Sequence, residues 1–442
     1  MRDALRAWCG PRWMRWFWLA AGLLVVGLWA GGGLRPWISP DTPSYLDPPA
    51  WPACLAGMRL PLYGWLVAAL GGPRLVPWVQ AAACILAAAS LTRALHRAGL
   101  SPAASLAAGF AVLGSTELVL WAHAVLPEAP GTAAAIAALA ATLDCASGWR
   151  RACALGRAAV WLTLAYLLRP SFLPLILVLP GLLALLCRER ARAAPLALAL
   201  LCAGMLPFLA ISATRRAAVG DFNIVSFGGF QMAGMAALML TPATVERLPE
   251  ELRPMAADII TRREALIAEG RALPLPRNSA GERSFASAAL FYFDILARTH
   301  DDVLYGAVGA ERGPAESWVA FNARAQRLAL AVIRAEKPSY AAWVGGACVR
   351  LAGRLLAGNP AFVVWGLILA LGYLWRRGRG APPLPPRREI DTLVLLSGGY
   401  TLAASILIVL VTFPATRYVD SAGILLPLWP AYAVLRWRGA AA

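Results

Sequence analysis

The sequence predicts an all-α polytopic membrane protein, and three observations carry the prediction. Of 442 residues, 59% are hydrophobic and only 15% charged, and the mean hydropathy of +0.61 is too high for a soluble chain of this length. Apolar runs of roughly 20 residues, the length needed to cross a bilayer as a helix, recur along the chain. Arginine clusters stand between those runs and produce most of a formal net charge of +17. A charge of that sign also fits nucleic acid, but that would need one basic face. Here the arginines alternate with apolar spans and read as topology signals, so no nucleic-acid partner is expected.

Apolar runs near 14–34, 75–95, 103–124, 127–144, 156–168, 171–187, 194–213, 360–375, 392–412 and 420–436 predict ten transmembrane helices. The first has a basic leader but runs into Arg35 and Pro36 without a small-residue cleavage site, so it is expected to remain as a helix. With the N-terminus cytoplasmic, the clusters at 2–15, 93–97, 150–157, 188–192, 376–388 and 436–438 all fall inside, as the positive-inside rule requires. This places both termini in the cytoplasm of a bacterial plasma membrane. It divides the chain into an N-terminal core (1–213) with a first outer loop (35–74), an extracytoplasmic helical domain (214–358) and C-terminal spans (359–442). Within the outer domain, 249–268, 284–297 and 315–335 carry helical periodicity. Residues 340–356 are apolar with Arg350 and Arg354 on one face, the pattern of a helix lying in the membrane interface.

The eight cysteines form no CxxC pair and no Cys/His cluster, so metal and redox readings are weak. On this topology Cys54 and Cys348 fall outside and are the pair placed to form a disulfide.

The chemistry concentrates in the first outer loop, Ser39-Pro40-Asp41-Thr42-Pro43-Ser44-Tyr45-Leu46-Asp47, with carboxylates, hydroxyls and a phenol in nine residues. An acid held at a membrane surface can deprotonate a hydroxyl beside a lipid-linked substrate; the same prolines also suit an ordinary helix-ending loop. Glu128, in Leu126-Pro127-Glu128-Ala129-Pro130, reads as a second carboxylate facing Asp41, able to bind sugar hydroxyls, a divalent cation or an arginine. It reads equally as an acid complementing a helix dipole. Glu117 reads as a paired intramembrane acid, and His123 as a neighbour of the same cavity or a structural helix-end residue. Arg59, Arg169 before Pro170, and Arg417 beside Tyr418 have the planar fork that suits phosphate, although each singly could anchor a helix at the headgroups.

Asp41 in its DTPSY context, the Arg59-x-Pro61-x-Tyr63 element, the acid opening the fourth span, the Arg169-Pro170 break and Arg417-Tyr418 at the head of the last span together resemble the GT-C superfamily of glycosyltransferases. The likeness includes the protein O-mannosyltransferases and lipid A aminoarabinose transferases. The resemblance implies a GT-C helical core with amphipathic helices in the first outer loop and a variable outer domain. It implies inverting transfer of a sugar from a polyprenyl-phosphate donor in the membrane to a hydroxyl of a glycan, lipid or protein acceptor. Asp41 and Glu128 would be catalytic, Arg59, Arg169 and Arg417 would bind the donor phosphate, and Tyr45, Asp47, Tyr63, His123 and Tyr418 would contact substrate. Many relatives have a tight acidic pair in the first loop, whereas Asp41 and Asp47 stand apart with prolines between them, which leaves the base and any use of a divalent cation open. No other cofactor is implied. Two competing readings are a polytopic transporter or flippase, which would usually show inverted repeats, and a non-catalytic assembly protein of envelope polysaccharide synthesis.

Overall fold

A computed structural model describes residues 11–46, 48–115, 117–277, 281, 283–287, 299–357, 388–411, 416–426 and 428, with isolated positions between 367 and 378; the side chains of 117, 357, 388–394, 416 and 417 are outside that description. The described residues are mostly helical. The fourteen helices that matter here are α1 (Met14–Ala30), α2 (Leu62–Ala69), α3 (Val76–Arg97), α4 (Pro102–Leu113), α5 (Glu128–Ser147), α6 (Arg151–Leu168), α7 (Leu175–Leu186), α8 (Arg190–Val219), α9 (Gly228–Met239), α10 (Arg253–Ala268), α11 (Trp318–Ala335), α12 (Lys337–Ala357), α13 (Arg388–Val411) and α14 (Thr416–Gly423).

Among the described residues, five helical segments are long and apolar enough to cross a membrane: Pro73–Arg97, Pro102–Trp121, Glu128–Ser147, Arg151–Leu168 and Arg190–Val219. Met14–Ala30, Pro170–Leu186 and Leu395–Val411 are shorter apolar helices. The expectation of ten spans is therefore met only at the coarser level of a helical, membrane-associated chain. Within the third expected span, α4 ends at Gly114 and a turn of π-helix follows over Glu117–Trp121. The runs 360–375 and 420–436 lie largely outside the described residues.

Two cores organise the molecule. The first is built on α5, whose transmembrane window is wholly buried and consists largely of alanine. Small side chains let α3 and α6 approach its backbone closely, which is how helices gain van der Waals contact where lipid supplies no hydrophobic drive. α7 and α8 pack on α5 and α6, while α1 lies against α4. The second core pairs α9 with α11 and adds α10, α12 and the segment 303–308 around Phe230, Phe321 and Trp343. Gly229 is required there, since a Cβ would stand 2.2 Å from the Asn322 carbonyl. α13 joins the cores, giving Tyr400 and Ala403 to the first and Val409 to the second.

α12 covers the stretch expected to lie in the interface. Trp343 and Ala347 are fully buried in the second core and the helix packs on α11, α13 and α14, while Val349 and Leu356 on the same helix are exposed. Cys54 and Cys348 are both free thiols. Of the helix expected over 284–297, residues 288–298 lie outside the described residues, and Phe285–Ser287 form a single 3-10 turn.

Candidate functional site

The first loop is fastened before it reaches any cavity. The Trp37 N–H donates to the His123 carbonyl at 2.9 Å, and the Val125 N–H donates to the Trp37 carbonyl at 3.0 Å. The buried Thr42 hydroxyl donates to the Val125 carbonyl at 3.1 Å while accepting from the Ser39 N–H. Gln80 on α3 ties the same segment from beneath, its Nε2 donating to the carbonyls of Ala122 and Ala124. These bonds hold Asp41 at the head of a 3-10 turn over Thr42–Ser44. The Ser44 hydroxyl then donates to the Asp41 carbonyl at 2.7 Å and accepts from Arg59 Nε at 3.2 Å, which couples Asp41 to Arg59 through one side chain.

Arg59 is sandwiched. Its guanidinium lies 4.7 Å from the Tyr45 ring centre and 4.3 Å from that of Phe227, which starts the second body. Burial works against its charge, yet the fields of Tyr45, Tyr418, Asp41 and Tyr305 hold its pKa above the ordinary arginine value. Tyr305, from the second body, has its phenol pushed up to about 12 by partial burial and then by the Asp41 carboxylate.

Arg169 has an equivalent setting. The following proline disfavours helical backbone at this position, and Arg169 is extended at φ −145°, ψ 103°, between α6 and a 3-10 turn over Pro170–Phe172. The side chain is 6% exposed, and its guanidinium lies 5.1 Å from the Tyr418 ring and 5.7 Å from that of Phe172. One nitrogen donates to the Ser421 hydroxyl at 2.5 Å, whereas Nη2 has no hydrogen-bond partner among the described residues. A buried guanidinium N–H in that state is costly, and an anionic ligand would satisfy it.

Both arginines line one cavity of about 390 Å³, within the range of about 300–1,000 Å³ typical of small-molecule sites. Tyr45, Glu128 and Tyr418 line it too, with Glu128 only 4% exposed at the first turn of α5. Apolar side chains from α8 and α13, including Phe208, Leu407 and Ile408, close one side. Carboxamides line another part of the wall: Gln231 from α9, Asn322 and Gln326 from α11, and Asn223 from the segment between α8 and α9, with Asn322 fixed by accepting from the Phe230 N–H at 3.0 Å.

The structure thus brings Arg59, Glu128, Arg169, Tyr45 and Tyr418 together, with Asp41 half-buried beside Arg59 but not on the wall. Tyr63 and His123 are elsewhere. Tyr63 is 1% exposed in a small apolar cluster with Val67, Val76 and Val125, where its hydroxyl donates to Gln80 Oε1 at 3.2 Å, so it holds α2 against α3. The His123 ring packs against Trp37 at 5.7 Å, off the cavity wall. Asp47 and the side chains of Glu117 and Arg417 lie outside the described residues. A divalent cation would have Asp41 and Glu128 as candidate ligands, and among the described residues no group of three or more His, Cys, Asp or Glu gathers to hold one.

Asn322 and Gln326 have no signal in the sequence, because they sit one helical turn apart on a helix whose partner is nearly a hundred residues away. Phe227-Gly228-Gly229-Phe230-Gln231 reads in the sequence as a flexible piece over the active site or as merely a loop. Comparison of the chain with protein-family models, with curated proteins and with solved structures returned no match.

Proposed function

We propose that the chain is an integral membrane glycosyltransferase that moves a sugar from a polyprenyl-phosphate donor to an acceptor hydroxyl, with inversion at the anomeric carbon. The observation that carries this reading is the convergence on one cavity of two aromatic-held arginines, a buried carboxylate and a mixed apolar and carboxamide wall. Arginine binds phosphate oxygens in planar, charge-assisted pairs, and Arg169 Nη2, without a hydrogen-bond partner among the described residues, is placed for such a contact beside Arg59. The apolar wall suits the start of a prenyl chain, and the carboxamides suit sugar hydroxyls.

In the reaction, the acceptor oxygen attacks the anomeric carbon, and its proton passes to a carboxylate, Asp41 or Glu128. The bond from the anomeric carbon to the phosphate oxygen breaks, and prenyl monophosphate leaves with the bonding electrons. Arg59 and Arg169 stabilise the charge that grows on the departing phosphate. Arginine clusters at the opposite helix ends support an extracytoplasmic site with cytoplasmic termini, in a GT-C-type arrangement of about ten spans.

The test is transfer from a radiolabelled prenyl-monophosphate sugar by the protein reconstituted in liposomes, comparing wild type with Asp41→Asn and Glu128→Gln. The reading expects labelled product from wild type and a loss of about 10²- to 10⁴-fold in whichever variant lacks the base, with donor binding retained. A transporter or an assembly scaffold would yield no labelled product.

A further inference from the structure

Near the end of α8, one guanidinium reaches two separate stretches of chain. Arg215 is 2% exposed. Its Nη1 donates to the Leu55 carbonyl in the first outer loop. Its Nη2 donates to Ser226 Oγ and, at 3.2 Å, to the Asp221 carboxylate, both between α8 and α9. The Ser226 hydroxyl donates in turn to Asp221, and the Ser226 carbonyl accepts from the Trp318 indole on α11. A cation buried this deeply is stable only with such charge-assisted partners, and Asp221 supplies the opposite charge. The places of these anchors in the chain give them their meaning. Leu55 stands four residues before Arg59, and Ser226 immediately precedes Phe227. Arg59 and Phe227 are the pair that meets across the two bodies at 4.3 Å. Trp318, held on the Ser226 carbonyl, backs Phe227 with its ring stacked at 6.1 Å.

We infer that Arg215 is a positioning residue for the anion site: by fastening Leu55 and Ser226 to one guanidinium, it sets the gap in which Arg59 is held between Tyr45 and Phe227. Arg215 is not on the cavity wall, so it acts through Arg59 and Phe227, which are. Connecting segments are ordinarily the mobile parts of a chain, and two of them must be pinned together for this sandwich to form. An arginine that merely anchored the end of a membrane helix would extend its charge towards headgroups and water, whereas this one is turned inwards. The consequence for donor binding rests on the reading of the cavity as a prenyl-phosphate site; the consequence for the geometry of Arg59 does not.

Phenylglyoxal, which modifies accessible guanidiniums, tests this on the full chain in detergent, with labelling of Arg59 and of the exposed Arg192 read by peptide mass spectrometry. Arg59 should label slowly in wild type and about five-fold faster in Arg215→Gln, the effect of one lost hydrogen bond on opening of the sandwich, with Arg192 unchanged. Arg215→Lys, which keeps the charge and one donor, should fall between the two. Ser226→Ala removes a single arm and should shift Arg59 the same way to a smaller extent; it decides the matter should Arg215→Gln not fold. On the same preparations the Kd for a short-chain prenyl monophosphate should rise in step with Arg59 labelling. Unchanged Arg59 labelling in the folded variants, with or without a fall in melting temperature, would overturn the assignment and leave Arg215 a helix-end anchor. If wild type binds no prenyl monophosphate, the reading of the cavity falls, and the labelling comparison still decides the role of Arg215.

Discussion

The two ends of α5 and α6 use the same residue types in opposite ways. At one end Arg97 donates to both oxygens of Asp144, at 2.7 and 2.8 Å, and Arg157 adds a third bond at 3.0 Å, so the carboxylate is saturated by its own protein. At the other end, Arg59 and Arg169 rest on aromatic rings, and Glu128 shares their cavity. Pairing with a carboxylate spends an arginine's N–H edge on structure. Stacking on aromatics fixes the cation with fewer of its N–H groups engaged: Arg59 donates to Ser44 and Arg169 to Ser421, while Arg169 Nη2 has no hydrogen-bond partner among the described residues. The difference separates a structural ion cluster from a candidate ligand site, although both look alike as charges in an apolar sequence.

Substitutions at the two ends should therefore fail differently. The largest effect expected is on turnover. Asp41→Asn or Glu128→Gln should lower transfer by about 10²- to 10⁴-fold with little change in melting temperature, measured by product formation and by thermal unfolding of the same preparation. Arg169→Gln comes next, with a loss of about 10²- to 10³-fold in the rate of transfer because stabilisation of the departing phosphate is removed.

At the opposite end the order of readouts reverses. Asp144→Asn leaves two arginines without their shared partner and should cost about 3 kcal/mol of stability, discounted from the full value for a buried pair because Arg157 is half exposed. It should leave the rate per folded molecule unchanged. A glycine sharpens the contrast within the loop itself: a Cβ at Gly64 would stand 2.4 Å from the Tyr45 carbonyl. Gly64→Ala should accordingly weaken donor binding through displacement of Tyr45, which lines the cavity and stacks on Arg59, and the donor KM should rise more than the maximal rate falls. The smallest effect belongs to Tyr63→Phe. Loss of its bond to Gln80 should cost about 1 kcal/mol of stability and leave the donor KM unchanged, as expected of a residue off the cavity wall.

What the sequence disclosed about the site follows from which signals are local. The Arg169-Pro170 break was legible because proline disfavours helix at the residue before it, and Glu128 was legible because Pro127 opens a helix beside it. Their meeting with Arg59 was only a guess from charges expected at one depth, and geometry alone shows the shared cavity. Tyr63 fitted a motif, yet its direction depends on how α2 docks on α3, which no local spacing encodes. Phe227 meets Arg59 across two bodies, and neither residue's neighbours signal the other. The ten expected spans are matched by five crossing segments among the described residues, because several apolar runs form helices shorter than a span and the runs 360–375 and 420–436 lie largely outside those residues. The arginine pattern was informative about which helix ends lie together, but it did not distinguish arginines spent on Asp144 from those left for a ligand.

The central claim is that the aromatic-held arginines form an anion site for a prenyl phosphate. Its most direct measurement is the affinity of the purified protein for a short-chain prenyl monophosphate, comparing wild type, Arg169→Gln and Arg192→Gln, the last an exposed arginine at the start of α8. The account predicts stoichiometric binding that weakens at least about ten-fold in Arg169→Gln, the loss of one charge-assisted phosphate contact, and is unaltered in Arg192→Gln. Equal affinities across all three proteins would contradict it.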